Sequence, residues 1–455
     1  MTYRLRSLAV ASVVFLLADC SFMGGSKMLG IGHDTRSANL TVGDEPLAVQ
    51  AGAAALADGG SAADAASATY FALSVSYPVA AGIGGGGICI VHDPARQTNE
   101  EIDFLPRDTT HGGAYAVPGS VSGFALLQSK YGKLPWQRVV AAGEGLASAG
   151  FPISRALEMR LLDNQDVLRL DAGLAAEFLD ESGRLKPQGS VVNNPALAQT
   201  LSAVRTLGPA GFYAGAVAEK LASYSASEGG AISDADLGAY APGRSQAASL
   251  KVGNQWIYVP SKHVGAGTFL SAMLSRLVDS QGNLTNGSNL GQAVATATKS
   301  SLDEFHLATL PRDLGATGFA ATDEDGQAVA CAVTMNGPFG SGHTAAGTGI
   351  TLARAPSSTD AGLAAAFLAP AMVENDNAVS LVGTGSGGPN GVAAIVYALL
   401  KLSNDVDVTQ AGKLHSTGIE PYETVNVIAC PGDVCAAIAD PGASGLGAAG
   451  GLTGY

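Results

Sequence analysis

The sequence predicts an α/β protein built around a large buried sheet. Charged residues make up only 14% of the chain, against about a quarter in ordinary domains, while hydrophobic residues reach 47% and glycine numbers 60. Two Ala-rich helical stretches lead through a Gly-rich turn into an apolar strand between residues 47 and 91, and a β-hairpin pattern lies between residues 319 and 335. Small residues in such quantity suit close packing of helices on a sheet. At 455 residues the chain exceeds the roughly 250–300 at which single cores stop growing, so one intertwined unit and two domains both fit.

The N-terminus reads as an export signal. Arg4 and Arg6 precede an apolar run from Ser7 to Ala18, too short to span a bilayer as a helix. The ending Leu17-Ala18-Asp19-Cys20 resembles a bacterial lipobox, which implies a signal peptide over residues 1–20 and lipidation of Cys20. The expected location is the periplasmic side of the bacterial cell envelope, with the membrane reached through the lipid anchor. Residues 21–40 mix Gly, Ser and charge without periodicity and read as a flexible tether, with His33 in a solvated loop. An exported chain can form disulfides, and Cys430 and Cys435 bracket a Pro-Gly-Asp-Val turn signal, so a hairpin-closing bridge is expected there. Cys89 and Cys331 lie in apolar runs and read as small buried hydrophobes. The net charge of −14 and the lack of any Lys/Arg cluster speak against a nucleic-acid partner.

Ordered structure is expected from about Thr41. Leu47 to Leu56 reads as a helix; Ser61 can cap a second from Ala62 to about Val75, which Pro78 ends. The turn Ala81 to Gly87 precedes the strand Ile88–Val91 and opens no helix, so a dinucleotide-phosphate reading fails. Ser233 with Asp236 has the spacing of a capping box. His306 beside Asp303 and Glu304 lacks further ligands at zinc spacing and reads as a solvated helix face, so no metal site is predicted. A last helix is expected from about Gly391 to Leu402.

The hairpin carries the chemistry. Apolar residues from Phe319 to Thr322, the turn Asp323-Glu324-Asp325-Gly326 and a second apolar run from Ala328 to Met335 open into the Gly-rich loop Asn336 to Gly342. This pattern resembles the start of the small subunit of gamma-glutamyltransferases, N-terminal-nucleophile hydrolases that cut their own chain before a Thr and then use that Thr as nucleophile. Asp323 to Gly326, Thr334, Asn336 and the loop match the family pattern. In the same register the nucleophilic Thr falls on Ala316, and the family's His falls on Gly318. Alanine has no hydroxyl. Thr317 is the neighbouring candidate, but one residue along a strand reverses the face.

The run from Gly59 to Asp93 is similar to the family's large-subunit signature, and later blocks keep the family order to the C-terminus. The resemblance implies a four-layer αββα sandwich in which a large-subunit-like part, residues 41–315, and a small-subunit-like part, residues 316–455, form one intertwined fold. It also implies that Gly387 and Gly388 correspond to an oxyanion-hole pair. Leu105 stands where the family's substrate-carboxylate Arg belongs, with Arg107 two residues on. No carboxylate stands in Ala353 to Ser358, where the family receives the substrate amine. Two readings follow: a non-catalytic relative acting as a binding or assembly subunit with a protein partner or a membrane complex, or an amidohydrolase or glutathione hydrolase that matures before Thr317. Cofactors are not implied.

Overall fold

The computed structural model describes residues 38–262, 265–285, 289–307, 310–358, 362–402, 422–430, 435–440 and 442–450. The signal-peptide reading, Cys20, His33 and the tether up to residue 37 lie outside the described residues.

Alternation along each strand builds the core. In the hairpin Ala316–Thr322 and Ala328–Thr334, the residues Ala320, Ala328 and Ala330 face inward with Ile90 and Val42, and meet Met372, Val382 and Ile428 of a second sheet. Phe319, Ala321, Val329 and Val333 face outward, onto the helices Pro46–Ala57 and Ala62–Ser76. On the far side Val373, Leu381, Val425 and Val427 carry the helices Gly265–Leu277, Leu290–Glu304 and Pro389–Leu402. The layers therefore run helix, sheet, sheet, helix.

Each sheet is antiparallel between its paired neighbours. The first has seven strands, in the order Leu446–Ala449, Leu40–Gly43, Ala316–Thr322, Ala328–Thr334, Gly86–Asp93, Thr98–Asp103 and Gly243–Gln246. The second has six: Ala436–Ile438, Thr424–Ala429, Ala378–Ser386, Ala369–Asn375, Gln255–Val259 and Ala248–Val252. Strands from before and after Gly315 lie side by side in both sheets.

The helix Ala62–Ser76 is buried along its whole length, which its Ala and Ser content permits. Ser61 and Asp64 form a capping box, with Ser61 N donating to Asp64 Oδ2 at 2.9 Å and Asp64 N to Ser61 Oγ at 3.3 Å. Gly143, on the neighbouring helix Trp136–Ala149, has room for no side chain: a Cβ there would lie 2.3 Å from Phe71 O. Ser233 and Asp236 form the second capping box.

One cysteine reading is corrected. Cys89 and Cys331 are not separate buried thiols; they are register partners on adjacent strands, with Cα atoms 4.1 Å apart, and form a disulfide. Each run taken alone shows only an apolar cysteine, and the pairing emerges from the strand register. Cys430 and Cys435 are also disulfide-bonded.

Candidate active site

The site is built at the open end of the hairpin. Gly315 enters the strand with φ +59°, and a Cβ on it would lie 1.9 Å from Gly337 O, so only glycine fits. Its carbonyl oxygen accepts two hydrogen bonds, from Met335 N at 2.9 Å and from Thr334 Oγ1 at 3.0 Å. Thr334 is the register partner of Ala316. Thr334 Oγ1 in turn accepts from Asn336 N at 2.9 Å, and Asn336 Nδ2 donates to Arg354 O at 2.9 Å. Thr334, Asn336 and Ala316 are thus brought together around one peptide bond.

Thr317 is directed elsewhere. It is fully buried, and its Oγ1 donates to Asp44 Oδ2 at 2.6 Å. Asp44 also accepts from Thr424 Oγ1 at 3.0 Å and Asn426 Nδ2 at 2.7 Å. Burial raises the Asp44 pKa despite these donors.

Ala316 is buried in apolar packing. Ala316 clusters with Ile88, Ala332 and Leu368, and Leu105 packs against the cluster. Leu105 therefore occupies with hydrocarbon the neighbourhood in which the family resemblance calls for a guanidinium. Arg107 does not replace it: its side chain is 45% exposed, its guanidinium lies 4.9 Å from the Tyr240 ring centre, and Nη2 is 3.9 Å from Asp103 Oδ2. A carboxylate does reach the Ala353–Ser358 segment from elsewhere in the chain, because Asp108 Oδ1 accepts from Ser357 N at 3.1 Å and Ser357 Oγ at 2.7 Å.

Gly387 and Gly388 form the turn between the strand Ala378–Ser386 and the helix Pro389–Leu402, with Gly387 at φ +87°. The N-terminal end of that helix already has an anion. Glu423 Oε2 accepts from Asn390 N at 2.9 Å, and a Cβ on Gly388 would lie 2.1 Å from Glu423 Oε1.

Sequence reading missed Arg160. It lies on the helix Arg155–Asp163, on the buried face with Ala156 and Leu157, and its i, i+3 and i+4 spacing from those residues is the signal. Its Nη1 donates to Ala316 O at 3.1 Å, and its guanidinium pairs with Asp313, with Nε 3.2 Å from Oδ2. Tyr77 and Tyr422 flank it, with ring centres 5.4 and 5.0 Å from Cζ. Burial opposes its charge, but Asp313 and the Tyr77 contact outweigh that and raise its pKa. Asp313 Oδ1 also accepts from Gly315 N at 2.8 Å, so one buried ion pair holds the backbone on both sides of Gly315 and Ala316. Among the described residues, no group of three His, Cys, Asp or Glu side chains is placed to hold a metal.

An αββα sandwich with its focal point where a strand begins at a hairpin defines the class: the fold is of the N-terminal-nucleophile hydrolase type. The gamma-glutamyltranspeptidase family model matches residues 48–297, and the chain belongs to that family. Glutathione hydrolase 2 of Arabidopsis thaliana is 35% identical over 200 residues, which cover 41% of this chain and 34% of that protein. The chain spans less than two thirds of the length of the curated relatives it matches. Among solved structures, a cephalosporin acylase from Bacillus halodurans superposes with TM-score 0.71 over 97% of this chain and 100% of its own, at 18% identity, a likeness of fold. The Helicobacter pylori gamma-glutamyltranspeptidase superposes with TM-score 0.52 over 57% of this chain and 81% of its own, at 27% identity. The family match ends at residue 297, so the register of the hairpin rests on its own Asp-x-Asp-Gly turn and flanking strands.

Proposed function

We propose that this chain is a non-catalytic gamma-glutamyltranspeptidase relative, exported and lipid-anchored at Cys20, that acts as a binding or assembly subunit. The observation that carries the reading is Ala316: directly opposite Thr334, where the family pattern requires a hydroxyl, there is a methyl group. An N-terminal nucleophile is needed twice in such chemistry, once to cut the chain and once to turn over substrate, and alanine serves neither step. Three features support the same reading. Thr317 gives its hydroxyl to Asp44, Leu105 fills the neighbourhood of the expected carboxylate clamp, and Glu423 caps the glycine turn. An anionic transition state at Gly387 and Gly388 would have to form beside a fixed carboxylate. The hydrolase activity in the relatives' names is therefore not carried over.

The test is intact mass of the signal-processed protein under denaturing and reducing conditions, with N-terminal sequencing of every species. Reduction is essential, because the Cys89–Cys331 disulfide would hold the two pieces of a cut chain together. One species of full mature mass is expected. A fragment beginning at Thr317 would overturn the reading and make a screen of acyl-amide substrates the next step.

A further inference from the structure

We infer that the groove bounded by the helix Ala172–Phe178, the start of the helix Pro195–Leu207, the end of the helix Gly215–Ser227 and the loop His343–Gly349 is a binding site for a small organic cation bearing a primary ammonium group. It contains none of Ala316, Thr334, Asn336, Gly387 or Gly388, and it stands whether or not the chain cuts itself.

The groove encloses about 640 Å³, the size range of small-molecule sites. Asp171, Glu177 and Glu228 line it, and among the described residues no Lys or Arg does. Asp171 is already engaged: its Oδ1 accepts from Leu174 N at 2.8 Å and its Oδ2 from Thr344 N at 2.8 Å. Glu228 is exposed at the rim.

Glu177 is the distinctive group. Only 9% of it is exposed, and Oε2 accepts from Asn194 Nδ2 at 3.0 Å, whereas Oε1 receives no hydrogen bond from the described residues. The nearby Lys186 Nζ donates to the backbone oxygens of Ala176 and Glu177, at 3.2 and 2.8 Å, instead of to the carboxylate. A carboxylate this buried with one donor is costly to ionise, and a cation entering the groove removes that cost. An ammonium has three N–H donors for Oε1 and neighbouring acceptors, and the groove offers it the Tyr224 ring as well. A divalent metal lacks the ligand set: no three acidic, His or Cys side chains converge among the described residues. The formal charge of −14 favours approach of a cation.

The experiment is calorimetric titration of the full mature chain with n-butylammonium chloride, with sodium butyrate and n-butanol as controls, at pH 6, 7, 8 and 9. Saturable binding is expected for n-butylammonium only. Burial, opposed by the Asn194 bond and by Lys186, pushes the Glu177 pKa up to about 8. Affinity should therefore rise by up to about tenfold per pH unit from pH 6 and level off above pH 8. Lys186, Lys220, Asp171, Tyr224, Glu228 and His343 are the charged or titratable groups around it, and His343→Ala should leave the profile unchanged. Glu177→Gln should reduce affinity at pH 8 at least tenfold and abolish the pH dependence. Glu228→Lys, on the exposed rim where folding is not at stake, should weaken binding several-fold. Absence of saturable binding, equal binding of butanol, or full affinity in both Glu variants overturns the inference. If Glu177→Gln does not fold, the Glu228→Lys result alone decides.

Discussion

Thr317 Oγ1 lies 2.6 Å from Asp44 Oδ2, and this bond fixes the hydroxyl nearest the expected cleavage point within the core instead of at the site. Asp44 draws on three side-chain donors, so each is part of what makes its burial tolerable. Thr317→Val keeps the shape and deletes one donor. The expected loss is about 1–3 kcal/mol of unfolding free energy, read from the urea midpoint, with no change in chain length on a reducing gel. A Thr317→Val protein as stable as the parent would mean the hydroxyl is free for other work.

Ala316→Thr returns a hydroxyl to the face that carries Thr334. The carbonyl it would attack, that of Gly315, already accepts from Met335 N and Thr334 Oγ1, so the donors for an acyl shift are in place without the nucleophile. Slow cleavage before residue 316 is expected, detectable as two bands on a reducing gel over hours to days. The larger side chain must push into Ile88, Ala332 and Leu368, at a cost of about 1–3 kcal/mol. Ala316→Thr combined with Thr334→Val should stay uncut.

The Cys89–Cys331 disulfide closes a loop of sequence separation 242 and joins strands from either side of Gly315. Replacing both cysteines by alanine should lower stability by about 2–5 kcal/mol, read from urea unfolding whose slope is steeper than the parent's, because the unfolded chain is no longer held compact by the cross-link. The same protein offers an internal check, because adding a reductant should destabilise the parent more than the double variant, in which only the short Cys430–Cys435 bridge is left to reduce.

The layers of this fold were legible because local signals agreed with tertiary demands. Ser61 and Asp64 cap where the spacing says they should, the Asp323-Gly326 turn joins two apolar strands, and small residues mark the helix buried on all sides. The site was less legible. Ala316 could be read as a missing nucleophile from the hairpin register alone, but the fate of Thr317 depends on Asp44, 273 residues away in sequence. Arg160 contacts Ala316 O across 156 residues, and Glu423 reaches Asn390, just past the glycine turn, from 33 residues beyond. Periodicity reports which face of an element is buried. It does not report which distant charge that face meets.

Glu177 gives the stability of the protein a pH dependence whose sign is fixed by burial. In the folded chain its pKa is pushed up to about 8, against 4.5 for an unhindered glutamate, so between these values the folded state holds a proton that the unfolded state has released. Its contribution is fully present below about pH 4.5 and is lost as pH rises through 8, at no more than about 1.4 kcal/mol per pH unit. Asp44 and Glu45 are raised by burial too and act in the same direction, so the parent's slope is a sum. Glu177→Gln removes one contributor while keeping an acceptor for Asn194 Nδ2. Urea unfolding at pH 5 to 9 should show the parent losing stability across this range and the variant losing less, with the two curves parallel above pH 8. Parallel curves throughout would mean that burial does not raise the Glu177 pKa in the folded protein.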